Sequence, residues 1–63
     1  MTISVTDFVF RTGKAACRQL ARKGLLGKNA VDEARKHNPH PIGSRWNPTW
    51  HVGFVTAASK EGI

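Results

Sequence analysis

Pro39 and Pro41 stand one residue apart in the run Asn38-Pro39-His40-Pro41, and no regular helix or strand can pass through it. Each residue ahead of a proline is pushed out of the α region, and each proline lacks the N–H that a helix interior needs. The chain is therefore cut into two arms, and the arms differ in kind. Residues 46–59 hold no Lys, Arg, Asp or Glu, and Trp46, Trp50 and Phe54 all fall in that stretch. Nearly all the charge lies upstream. A basic front joined to an uncharged aromatic back implies two tasks: meeting phosphate or an acidic surface, and holding the module together or onto a partner.

With 63 residues the chain makes one small domain. A domain of this size buries only about 60% of the surface its unfolded form exposes, so it is marginal alone. Cys17 is the single cysteine, which excludes an internal disulfide and hence a secreted disulfide scaffold. No basic region followed by an apolar run marks a signal peptide, and no stretch is long enough to span a membrane. These features point to a cytoplasmic protein. The formal charge is +6 and the sequence pI about 10.5. That balance favours nucleic acid or an acidic protein surface as partner.

Residues 1–6 read as a flexible lead and residues 7–60 as a single helical domain. Thr6 or Asp7 can cap a first helix running to about Lys23, with Gly24 as its stop. Val9, Gly13, Ala16, Cys17 and Leu20 share one face of it, and their small size would let a partner helix come close. Arg11, Lys14, Arg18 and Arg22 recur at three- and four-residue steps on another face. A second helix is predicted from Leu25 or Leu26 to about His37. Its apolar stripe is Leu26, Ala30, Ala34 and His37, with Lys28 and Arg35 opposite and Asp32 paired to Lys36. The sequence leaves open whether Gly24 breaks the two helices or bends one.

After the proline turn, Asn47-Pro48 offers a capping side chain and a fixed φ for a third helix reaching about Lys60. Trp50, Gly53, Phe54 and Ala57 share a face of it, while Val52 and Val55 lie elsewhere. A helix apolar nearly all round is normally buried. This chain is too short to bury one on every side, so Val52 and Val55 are expected to meet a second copy or a target. A strand over residues 51–57 is the competing reading. The fold class expected is all-α: a two- to three-helix domain whose proline turn separates the basic helices from the aromatic one. Its core is Leu20, Leu26, Ala30, Ala34, Trp50, Gly53, Phe54 and Ala57.

Arg11, Lys14, Arg18, Arg22, Lys28, Arg35 and Arg45 are the candidate phosphate contacts, since guanidinium forks suit phosphate oxygens. The bland alternative is a solvated face. Against it stands the scarcity of acids, which are Asp7, Asp32, Glu33 and Glu61 alone. Trp46, beside Arg45 at the loop edge, is the candidate for stacking on an exposed base, whereas Trp50 fits the core. Cys17, His37, His40 and His51 lack the spacing of a metal site. The run from Gly24 to Asn29 lacks the length and the Ser or Thr of a phosphate loop. No nucleophile context is present. The chain therefore reads as a non-enzyme without cofactor or metal.

Asn38-Pro39-His40 followed by Trp50-His51-Val52-Gly53-Phe54-Val55-Thr56-Ala57 resembles the signature of the ribosome modulation factor family. That pattern is a Cys- or Asn-Pro-aromatic turn, then a helix carrying Trp-x-x-Gly-aromatic and a following Ala. Gly27, Ala30 and Ala34 resemble the family's small-residue helix, with Ala34 where Gly is usual. His40 stands where the turn usually has Tyr. The likeness covers residues 27–58, and the stretch before residue 25 has no clear counterpart. It implies a small basic helical protein that binds ribosomal RNA on the small subunit and promotes inactive ribosome dimers. One branch of the family is credited with modifying quinolones, and no constellation here would carry that chemistry.

Charge and resemblance together lead to the expectation of a small RNA- or ribosome-binding protein that acts by stoichiometric occlusion. Ribosomal or structured RNA is the expected partner, with a homodimer as a further option and no membrane. The rival from another class is a small inhibitor, phage- or mobile-element-borne, that binds an acidic surface of a protein or nucleoprotein.

Overall fold

The computed structural model describes residues 4–60. Three helices follow one another, α1 (Val5–Arg22), α2 (Ala30–His37) and α3 (Asn47–Lys60), giving a small all-α domain with no strand among the described residues. The stretch 51–57, for which a strand was weighed, is the middle of α3.

α1 starts earlier than the sequence predicts. The Ser4 hydroxyl accepts a hydrogen bond from the Asp7 N–H at 3.1 Å, so Ser4 is the cap rather than Thr6 or Asp7. Asp7 instead places its carboxylate in the first turn, where the helix dipole favours it. Val5 and Thr6 thus belong to the helix, and residues 1–3 of the expected lead lie outside the described residues. At the other end Gly24 adopts φ +71°, a left-handed conformation that costs a side-chain-bearing residue about 1–2 kcal/mol. The Leu25 N–H then bonds the Leu20 carbonyl at 2.9 Å and the Gly24 N–H bonds that of Ala21 at 3.1 Å. This Schellman pair satisfies the last carbonyls and breaks the helix. Gly24 is a stop, not a bend.

The same pair explains why α2 begins later than Leu25 or Leu26. Leu25 is consumed in ending α1, and Leu26 and Lys28 lie in the connection. Asn29 in extended backbone accepts from the Asp32 N–H at 3.1 Å and starts the helix at Ala30. Lys28 therefore does not share a helix with Arg35. The expected Asp32–Lys36 pair is replaced by Glu33, whose carboxylate lies 3.7 Å from Lys36 Nζ and 3.2 Å from His37 Nε2. His37, expected in the apolar stripe, is exposed and sits one turn beyond Glu33 on the same face.

Between α2 and α3 the chain turns on two asparagine side chains. Asn38 Oδ1 accepts from the His40 N–H at 2.9 Å, while Asn38 Nδ2 donates to the Asn47 carbonyl at 3.0 Å. Asn47 Nδ2 donates in return to the His40 carbonyl at 2.7 Å. Asn47 is thus the first residue of α3 and not the cap that the sequence predicts: its side-chain amide ties the loop shut by donating to His40, and the Trp46 carbonyl accepts the first helical bond, from the Trp50 N–H. Residues 41–44 form a turn in which the Ser44 N–H bonds the Pro41 carbonyl at 3.0 Å. Ile42 stands at its tip, 98% exposed.

α3 is the central element, packed against both α1 and α2. α1 and α3 cross backbone to backbone at two glycines. A methyl on Gly13 would collide with the Trp50 carbonyl oxygen, and one on Gly53 with the Phe10 carbonyl oxygen. Around that crossing Val9, Cys17, Ala34, Trp50, Phe54, Ala57 and Ala58 are buried, and the Trp50 and Phe54 rings stack at 5.3 Å and 24°. Leu20, Leu26, Ala30, Trp46 and Val55 are partly buried and pack on this cluster. The Cα extents are 33 × 28 × 16 Å. The short dimension accommodates two helix layers at their usual spacing of about 8–10 Å, so no helix can be covered on all sides.

Candidate functional site

The face of α1 opposite Gly13 carries the basic residues. With Gly13 pressed against α3, a period of 3.6 residues per turn places Arg11, Lys14, Arg18 and Arg22 within about 80° of one another on the far side. From Arg11 to Arg22 the stripe is about 16 Å long. Arg11, Arg18 and Arg22 are exposed. Lys14 is partly buried, because its stem lies back along the helix and places Nζ 5.5 Å from the Phe10 ring centroid. Among the described residues the ion pairs are those of Glu33 with Lys36 and His37. Asp7, one turn ahead of Arg11 on the same face, is the one carboxylate of α1, so the stripe keeps a net positive charge.

The other candidate contacts are distributed elsewhere. Lys28 is exposed in the connection between α1 and α2. Arg45 is exposed at the entry to α3, its guanidinium carbon 5.8 Å from the Trp46 ring centroid. Trp46 is partly buried and packs on the core, so a base stacking there would share the ring with Arg45 or displace it. Arg35 faces the hollow between α2 and α3 together with Ile42, Pro48 and His51. The fold thus gathers four of the basic residues into one stripe and leaves Lys28, Arg35 and Arg45 apart from it.

Of the core candidates, Ala34, Trp50, Gly53, Phe54 and Ala57 are buried, and Leu20, Leu26 and Ala30 are partly so. Of the interface candidates, Val52 is 53% exposed, whereas Val55 is partly buried and touches the core. Both line a second hollow with Val31, His51 and Lys60. Val31 and Ile42 were missed from the sequence. Reading α2 from Leu25 assigned its apolar side to Leu26, Ala30 and Ala34. That left Val31, its lone β-branched aliphatic residue, without a role.

Among the described residues no three of His, Cys, Asp and Glu gather into a set of metal ligands. No described helix is long and apolar enough to cross a membrane. No protein-family model, no curated protein and no solved structure matches this chain. Charge and geometry carry the functional reading.

Proposed function

We propose that this chain is a small RNA-binding protein that attaches to the ribosome, or to structured RNA, through the basic face of α1. It acts by occupying a site stoichiometrically, without turnover or cofactor, and works where ribosomes are, in the cytoplasm. One observation carries this reading: Arg11, Lys14, Arg18 and Arg22 are aligned along one face of α1, with the three arginines exposed and none of the four in an ion pair among the described residues. Guanidinium groups at successive turns can follow a phosphate backbone, and the affinity they give is sequence-tolerant. The likeness of residues 27–58 to the ribosome modulation factor family supports the same partner.

Co-sedimentation with purified ribosomal subunits tests the proposal. The parent is expected to pellet at low salt in about one copy per bound subunit. The double substitution Arg18→Ala with Arg22→Ala is expected to remain in the supernatant while keeping its helical circular dichroism. Failure of the parent to bind subunits or their RNA, or retention by an acidic protein that ribonuclease does not disturb, would contradict it.

A further inference from the structure

The α2–α3 side of the molecule has a different chemistry from the α1 stripe. Two hollows of about 460 and 530 Å³ lie next to each other along α3, with His51 in the lining of both. Their apolar lining comes from Val31 of α2, Val52 and Val55 of α3, and Ile42 of the turn. Val31, Val52 and Ile42 are 40%, 53% and 98% exposed, a large aliphatic surface to leave in water. Arg35 stands in one hollow and Lys60 in the other, and no carboxylate lines either.

We propose that this furrow docks an amphipathic helical segment of a partner protein, with aliphatic side chains along one face and carboxylates at both ends. α3 is 14 residues long, about 21 Å, so an occupant lying along it has about three to four turns. Aliphatic side chains at i, i+4 and i+7 would lie over the valines, and the terminal carboxylates would meet Arg35 and Lys60. Two other occupants fit the lining less well. Nucleic acid would find only the His51 imidazole to stack on, and only one Arg and one Lys to offset a run of phosphates. A second copy of the chain would bind through the same patch related by a two-fold axis. Each cationic end would then face itself or the other cationic end, in a chain of net charge +6. The inference stands on this furrow alone and does not depend on what α1 binds.

A fluorescein-labelled synthetic helix of about fourteen residues, with leucines at i, i+4 and i+7 and glutamates at both ends, is the probe. Its fluorescence anisotropy with the full chain is expected to show saturable binding. The same leucines flanked by lysines should bind at least about tenfold more weakly. Val52→Glu should weaken binding of the glutamate-ended helix by about tenfold or more, because it places a carboxylate in a desolvated apolar contact. Ile42→Ser, at a position too exposed to alter folding, should weaken it several-fold and decides the matter if Val52→Glu proves less helical. The proposal is overturned if the glutamate-ended helix does not bind, or if both peptides bind alike. It is equally overturned if both variants bind like the parent, if ribosomal RNA displaces the peptide, or if sedimentation shows a dimer that Ile42→Ser dissolves.

Discussion

Gly13 and Gly53 are positions where helix propensity and packing pull in opposite directions. In an exposed helix interior, replacing Gly by Ala gains about 1 kcal/mol. Here the added methyl meets the carbonyl oxygen of Trp50 or of Phe10, and a backbone group cannot swing aside as a side-chain tip can. Gly13→Ala and Gly53→Ala are each expected to lower stability by about 1–3 kcal/mol, read from thermal or urea melts, despite the better propensity. Stabilisation by either would mean that α1 and α3 do not approach this closely. The tryptophans divide in a similar way. Trp50 is 3% exposed and stacked on Phe54, so Trp50→Ala should cost about 3–5 kcal/mol and abolish cooperative melting of so small a domain. Trp46 is only partly buried, so Trp46→Ala should cost about half as much and still melt cooperatively. Equal melting of both variants would contradict that division. The small-residue face of α1 could be read from Gly13, Ala16 and Cys17 at helical spacing. That Gly13 and Gly53 serve the same crossing could not, because spacing along one helix does not set its register against another.

At the scale of elements, hydrogen bonds of polar side chains to backbone fix where α1 and α2 begin. Helical periodicity placed all three helices but missed the starts of α1 and α2. Leu25 and Leu26 continue the apolar spacing, yet Leu25 is held by the Leu20 carbonyl and Asn29 supplies the cap that starts the helix. Such competition between a side-chain acceptor and helix continuation leaves little trace in an apolar pattern. Asn29→Ala is expected to cost about 1 kcal/mol and to reduce α2 helicity first, visible as faster amide exchange over Ala30–His37. The two asparagines of the proline turn form a reciprocal clamp. Asn38→Ala and Asn47→Ala should each cost about 1 kcal/mol, and the double variant less than their sum, since each loses part of one shared network. Strict additivity would show that the loop is held by its prolines rather than by this clamp.

At the scale of the whole molecule, two helix layers leave two broad faces of opposite character. One presents the exposed arginines of α1, and the other the aliphatic furrow between α2 and α3. The first was legible in the sequence, because Arg11, Lys14, Arg18 and Arg22 recur at helical steps whatever α1 packs against. The second was legible only as Val52 and Val55. Val31 and Ile42 join them through the packing of α2 on α3 and the turn at residues 41–44, neither of which apolar spacing specifies. A salt titration tests most directly whether the α1 stripe binds RNA through phosphates, as proposed. Affinity for small-subunit ribosomal RNA, measured by anisotropy between low and physiological salt, is expected to give a log–log slope of about −3 for four contacts. Arg18→Ala and Arg22→Ala should each flatten the slope by up to about one unit and weaken all RNA sequences alike. A slope near zero, or one that neither substitution changes, would contradict the account.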